Sequence, residues 1–300
     1  MDLSIIVVNL NASELLSQCL RSIYSTGSRF SFEVIVIDNG SSDDSVSLVE
    51  KKFPDVFLVK NNRNLGFAQA NNQGLAVAKG RCCMLLNSDT IVLPGAFDML
   101  VQTADAHPDV GVISPTLLNA DGSLQKSWAS FPSFLSELLG RNFRVRKPVS
   151  ECPHAYDVDW VMGACMLVRS DAIRSVGFMD ADYFFYSEEV DWCYRMKQKN
   201  WRVWLLESAQ IHHLGGGSTS RGSVAQLVHL YRGKVHFFRK FHGRFAAALL
   251  RIGLSFVNAL GVLRRIIFIN WFDRKASLQR ISNQSKLVWY LLSNQFPEIK

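Results

Sequence analysis

Four predominantly apolar runs, Leu3–Val8 (rich in β-branched residues), Glu33–Ile37, Val56–Val59 and Cys82–Leu86, alternate with helical segments over the first 110 residues. Unbroken apolar runs of this length predict strands buried on both faces, which occur in parallel sheets covered by crossover helices. Ser13 opens a predicted helix to about Tyr24, and Asp43 another. Gly66–Ala78 forms a third, closed by Gly80, and Pro94 begins a fourth. The alternation predicts an α/β fold with a mostly parallel, doubly wound sheet and helices on both faces.

Ligands of such sheets bind beyond the carboxyl ends of the strands. Asn9 ends the first predicted strand. Asp38 ends the second and opens the turn Asp38-Asn-Gly-Ser-Ser-Asp43. Asn87 and Asp89 end the fourth. One Asp after a strand is commonly a helix cap, but three polar groups converging on one sheet edge point to a site. No G-x-G-x-x-G follows the first strand, and no G-x-x-x-x-G-K-[ST] or G-x-S-x-G occurs. A dinucleotide site, a P-loop and a hydrolase elbow are therefore disfavoured. Asp38 can accept from the N3–H of a uracil or thymine ring. Asp89 is a hard oxygen ligand for Mg²⁺ or Mn²⁺, ions that take one or two carboxylates plus substrate phosphates.

After about Ser114 the chain becomes loop-rich to residue 158, with Asp121-Gly122 as a hairpin signal and Arg141–Lys147 as a basic exposed loop. Structure resumes over Val158–Arg169 and in a strand Trp201–Leu206. Between them, Tyr186-Ser-Glu-Glu-Val-Asp-Trp-Cys193 opens a helix to about Lys199 with Glu188, Glu189 and Asp191 in its first turn. The helix dipole offsets part of their repulsion. A carboxylate there can act as general base toward a hydroxyl, or the block can be a solvated first turn. His212-His213 before a glycine run can contact a metal or phosphate, or be structural.

The six cysteines include no C-x-x-C pair and no disulfide pattern, so a reducing compartment is expected. Met1-Asp2-Leu3 lacks a basic n-region, and a signal peptide is not expected. The net charge of +7 is unevenly placed: residues 239–300 hold eleven Lys/Arg against Asp273 and Glu298, while the first 238 are near neutral. A nucleic-acid protein spreads basic groups over its folded body, so nucleic acid is not an expected partner. In the tail, Arg251, Ser255, Asn258 and Arg265 fall on one side of a helix. Leu249, Ile252, Phe256, Leu260, Leu263 and Ile267 fall on the other. The uncharged run Ile252–Leu263 is shorter than the roughly 20 residues needed to span a bilayer. The pattern predicts residues 243–300 as amphipathic helices on an anionic membrane surface, with a core helix or a dimer seam as the other readings.

Ser4-Ile-Ile-Val-Val-Asn9, Asp38–Asp43, Asn64-Leu-Gly-Phe67, Asn71-Asn72-Gln-Gly74, Leu85-Leu-Asn-Ser-Asp-Thr90, Gly163-Ala164, Glu188-Glu-Val-Asp-Trp-Cys193 and His213–Ser218 together resemble family 2 glycosyltransferases, most nearly the rhamnosyltransferase-type branch. The resemblance covers about residues 3–242 in order. It implies a GT-A fold over 1–242 and inverting transfer, here metal-dependent, from a dTDP- or UDP-sugar to a saccharide or lipid-linked acceptor. Such work belongs to cell-surface polysaccharide assembly on the cytoplasmic, inner face of the membrane. By this resemblance Asp38 contacts the nucleobase, and Asn72 lies near the donor. Asp89 is the last carboxylate of the metal motif, whose first position here is Asn87. Glu189 is the base, and Asp191 the alternative base or a helix-capping support. His213, or His212, meets the metal or diphosphate. The competing classes are a non-catalytic nucleotide-sugar-binding protein, a nucleotidyltransferase and a membrane-tethering module. The acidic block argues against the first, and Asn9-Leu-Asn-Ala12, with no Gly-rich basic loop, against the second.

Overall fold

The computed structural model describes residues 1–140, 145–215, 223–267, 274–293 and 295–296. Residues 141–144 of the expected basic loop and 216–218 of the glycine run lie outside the described residues. Two compact units are present. The first is Met1–Phe131, Arg144–Phe184 and Glu188–Ser218; the second is Pro132–Phe143, Phe185–Ser187 and Thr219–Lys300.

The first unit is built on one sheet. The apolar runs form β1 (Leu3–Asn9), β2 (Phe32–Asp38), β3 (Phe57–Lys60) and β4 (Cys82–Asn87), followed by β5 (Thr90–Val92) and β6 (Val110–Leu118). The loop-rich stretch holds short strands: β7 (Leu124–Gln125), β8 (Trp128–Ala129), β9 (Lys147–Pro148), β10 (Ala155–Asp157) and β11 (Trp160–Val161). β12 (Cys165–Arg169) and β13 (Arg202–His213) complete the set. The order is β3-β2-β1-β4-β12-β6-β13-β10-β9, with β5 on β13 and β7 on β6. β1 pairs in parallel with β2 and β4, β2 with β3, and β6 with β13. β12 runs antiparallel between β4 and β6. The central sheet is therefore mostly parallel, as expected; β12 reverses within it, and the short strands β5, β7, β9 and β10 also pair antiparallel.

Side-chain alternation explains the two cores. Leu3, Ile5 and Val7 of β1, with Cys82, Met84 and Leu86 of β4, face one side. They meet α1 (Ser13–Ser25), α2 (Ser45–Lys52) and α4 (Ala96–Ala106) through Leu16, Leu20, Val49, Phe97 and Leu100. Ile6, Cys83 and Leu85 face the other, against α3 (Phe67–Val77), α6 (Ser170–Val176) and α7 (Glu188–Gln198) through Leu75, Ile173, Trp192 and Met196. Residues i and i+1 of a strand serve opposite faces, so a two-sided core needs the unbroken apolar runs seen in the sequence. All six cysteines are free, five of them buried.

In the second unit, α5 (Phe134–Leu139), α8 (Val224–Ile267, broken at Gly243 with φ 88°) and α9 (Arg274–Ser293) are the helices. Val224–His242 lie in the same compact unit as the tail, whereas the resemblance extends the GT-A region to 242. The reason is local: the carboxylate of Glu137 on α5 accepts from Lys234 at 2.6 Å, and Gly233 approaches the backbone of Tyr186. The polar side of the tail helix is partly buried against protein, with Ser255 and Asn258 buried and Arg265 exposed. Asn258 donates to Tyr231 at 3.2 Å and accepts from Gln284 at 3.1 Å; Arg265 also meets Gln284. Ala247, Leu250 and Leu254 are buried on that same side. The expected apolar side is the exposed one: Phe245 is 84% exposed, Phe256 65%, and Leu249, Ile252, Leu260, Leu263 and Ile267 are all exposed. The uncharged run Ile252–Leu263 lies within a longer apolar helix. Only Arg251 interrupts Phe245–Leu263, and α8 is long and apolar enough to cross by length and composition.

Candidate active site

Parallel register places the strand-end residues side by side. Asn9 lies opposite Asp38, and Val8 opposite Asn87. Asn9 and Asp38 are buried. The Asn9 amide nitrogen donates to Asp38 Oδ1 at 3.4 Å and to Ser41 Oγ at 3.3 Å, and Ser41 N–H donates to Asp38 Oδ2 at 3.0 Å. Asn9 Oδ1 is buried and has no hydrogen-bond partner among the described residues. Gly40 (φ +86°) makes the turn possible, since a Cβ there would sit 2.8 Å from the Arg63 backbone.

Asn39 was not singled out from the sequence, yet it organises this corner. Its amide donates to Asn64 Oδ1 and accepts from Leu65 N–H and from Asn61, tying the β2 turn to the loop before α3. Asn72 lies in α3. Its amide donates to the Met179 carbonyl at 2.8 Å and accepts from the Met179 N–H at 3.0 Å, so both ends are engaged by backbone.

β4 ends at Asn87, whose N–H donates to the Ala164 carbonyl at 2.9 Å. Asp89, 9% exposed, follows in the turn to β5. β13 pairs with β5 so that His213 is opposite Thr90. This register brings His213, not His212, to the site. His213 Nε2 lies 3.2 Å from Asp89 Oδ1 and 3.4 Å from Asn87 Nδ2. His212, on the opposite face of the strand, has Nδ1 3.0 Å from the Asn119 carbonyl. A ring nitrogen and a carboxylate oxygen facing each other suit a divalent cation as donors, and these residues fit one.

The acidic block begins α7, as expected. It follows two residues in the left-handed region, Tyr186 (φ 72°) and Ser187 (φ 75°). Successive helical positions then separate the carboxylates. Glu188 turns inward and is 4% exposed; burial first, and the neighbouring Glu189 charge second, push its carboxyl well above the usual range. Glu189 stays partly accessible beside Gly163, where an added Cβ would lie 3.3 Å from the Phe67 ring and 3.9 Å from Glu189 Cβ. Asp191 is fully buried and paired with Arg195 at 2.6 Å. Arg195 also donates to the carbonyls of Val176 and Phe178. Tyr183 O–H lies 3.4 Å from Asp191; burial, then the Asp191 charge, raise the phenol far above its usual range. That arrangement gives Asp191 the part of a structural anchor. Gly163-Ala164 is the bridge: Ala164 holds the Asn87 turn, and Gly163 makes room beside Glu189.

A model of glycosyl transferase family 2 matches residues 4–177. The chain is 28% identical over 240 residues to the N-acetylglucosaminyl-diphospho-decaprenol L-rhamnosyltransferase of Mycobacterium tuberculosis, a match covering 73% of this chain and 78% of that protein. Among solved structures it is similar to the mannosyltransferase PcManGT from Pyrobaculum calidifontis in complex with GDP-Man and Mn2+, with a TM-score of 0.57, 14% identity and coverage of 98% of this chain and 87% of that one. It is also similar to GalNAc-T7 with UDP, GalNAc and Mn2+, with a TM-score of 0.58 and 14% identity; the match takes in 80% of this chain and 51%, about half, of that one. At 14% identity the likeness shows the fold, GT-A.

Proposed function

The chain belongs to glycosyl transferase family 2, and from that premise we propose that it transfers a sugar, with rhamnose the first candidate, from a nucleotide-diphospho-sugar to a hydroxyl of a saccharide or lipid-linked saccharide in cell-surface polysaccharide assembly. The observation that supports the reading is that one segment, Gly163-Ala164, meets both ends of the proposed site: Ala164 accepts from Asn87 N–H, and Gly163 lies beside Glu189 Cβ. The choice of rhamnose and of a lipid-linked acceptor is supported by the Mycobacterium tuberculosis relative, an N-acetylglucosaminyl-diphospho-decaprenol L-rhamnosyltransferase.

Each residue then has a role. Asp38, with Asn9 beside it, accepts from the N3–H of a pyrimidine base of a dTDP- or UDP-sugar. Asp89 and His213 would hold a divalent cation, Mg²⁺ or Mn²⁺, whose charge would offset that of the diphosphate. Glu189 takes the proton of the acceptor hydroxyl. That oxygen forms a bond to the anomeric carbon on the face opposite the diphosphate, and the bond to the diphosphate oxygen breaks with its electron pair. One displacement inverts the anomeric centre. Asn72 and Asp191 act by holding α3 and α7 in place. Through the exposed apolar side of α8 the enzyme sits on the inner face of the membrane, where a lipid-linked acceptor is presented.

A thermal-shift panel of nucleotide-sugars with Mn²⁺ or Mg²⁺ tests the proposal. A true donor at 100 times its dissociation constant adds about 2.7 kcal/mol to stability. A dTDP- or UDP-sugar is expected to raise the melting temperature by several degrees. If no member of the panel does so with either cation, the donor reading falls.

A further inference from the structure

Gln125 of β7 is assigned no role by the sequence motifs, yet its amide can be oriented without ambiguity. Its nitrogen lies 3.3 Å from the backbone carbonyl of His213 and 2.9 Å from Asn119 Oδ1. A backbone carbonyl only accepts, so the NH₂ end must face it, and flipping the amide would set two acceptors against each other. Asn119 is itself oriented by donating to Ser123 Oγ at 2.9 Å within the Asn119–Ser123 turn. Gln125 Oε1 therefore faces His213 Nδ1, at 2.6 Å.

An amide oxygen only accepts, so His213 Nδ1 carries the proton. In the neutral ring Nε2 is then left with its lone pair, aimed at Asp89 Oδ1 3.2 Å away. Two acceptors at that distance repel unless a cation or a proton lies between them. Asn87 Nδ2 lies 3.4 Å from the same nitrogen. We propose that Gln125 is a positioning residue: it fixes His213 in the Nδ1–H form, so that Nε2 and Asp89 together present a ready pair of donor atoms to a divalent cation. The proposal rests on the reading that Asp89 and His213 take a cation. Second ligands of this kind set both the ring orientation and the basicity of the metal-facing nitrogen, and their loss typically costs 10–100-fold in metal affinity.

Mn²⁺ alone is the probe, titrated into the full chain and followed by the electron paramagnetic resonance signal of the free ion. Gln125→Leu, which keeps the side-chain bulk and removes the acceptor, is expected to weaken Mn²⁺ binding by about 10–100-fold. Gln125→Glu keeps an acceptor and is expected to stay within about threefold of the parent, a rescue that a purely structural role would not give. Asp89→Ala is the control for the underlying reading. If Asp89→Ala loses Mn²⁺ and Gln125→Leu does not, the positioning role is overturned while the metal site stands. If neither variant loses it, both are overturned. A readout on the unmodified protein needs no variant to fold: long-range ¹H–¹⁵N spectra of the imidazole above its titration are expected to show His213 as the Nδ1–H tautomer, and the Nε2–H tautomer there would overturn the proposal.

Discussion

Glu189→Gln is expected to lower the turnover number by 100- to 10,000-fold, the range that a positioned general base contributes. In energy this is about 2.7–5.5 kcal/mol of barrier. Donor affinity is expected to hold within a few-fold, because the proton concerned belongs to the acceptor. Steady-state kinetics at saturating donor, beside direct donor titration, separates the two. Glu189→Asp retains a carboxylate and is expected to recover much of the loss. Turnover near that of the parent in Glu189→Gln would remove the residue from this role. Asp191→Asn makes an instructive contrast. Breaking a buried pair such as Asp191 with Arg195 typically costs about 3–5 kcal/mol, so that variant is expected to show its defect in stability rather than in turnover at constant folded fraction.

Replacing Ile252, Phe256 and Leu260 together with glutamate is expected to release the protein from anionic vesicles. Each of these side chains is worth roughly 1.5–3 kcal/mol on leaving water. Three together exceed about 4 kcal/mol, a thousandfold in partition. All three are exposed, while Leu250, Leu254 and Asn258 on the opposite side carry the packing, so the fold is expected to survive. Co-sedimentation with phosphatidylglycerol vesicles, with donor-induced thermal shift as the folding control, measures this. A triple variant that still sediments would sink the lipid-facing reading, as would a parent protein that stays in solution. A dimer seam on the same side would instead show as a change of mass in detergent solution.

Much of the first unit was legible because its strands must satisfy two cores at once, and unbroken runs such as Leu3–Val8 leave few alternatives. Strand direction was not. Nothing in Cys165–Arg169 says that it runs against β4, because orientation is decided by the connection and not by the local pattern. The strand-end positions of Asn9, Asp38, Asn87 and Asp89, and the place of Glu189 in a helix's first turn, were readable from the local pattern. Asn39 and Gln125 were not, because an amide's role depends on partners 25 and 88 residues away. The hairpin signal Asp121-Gly122 was the one local hint that the chain returns near Gln125. Asn72 was placed at the donor by resemblance, whereas its partner Met179 lies 107 residues on. In the tail the two sides of the helix were correctly separated by spacing. Which of them meets protein was not, since Gln284 and Tyr231, the partners of Asn258, lie outside the local window.

The strand order has a consequence for how the polypeptide is made. β4 keeps an open edge until β12 arrives, and β6 has neither of its sheet neighbours, β12 and β13, when it leaves the ribosome. At common elongation rates the interval between Asn87 and Cys165 is on the order of 5–15 s, long against the folding of a small domain. Arrested nascent chains that expose Arg169 should resist protease over β1–β4 better than chains that stop before Cys165. Throughout that wait the emerging protein offers two apolar ribbons with unsatisfied amides, the kind of surface on which chaperones act and against which slow translation works.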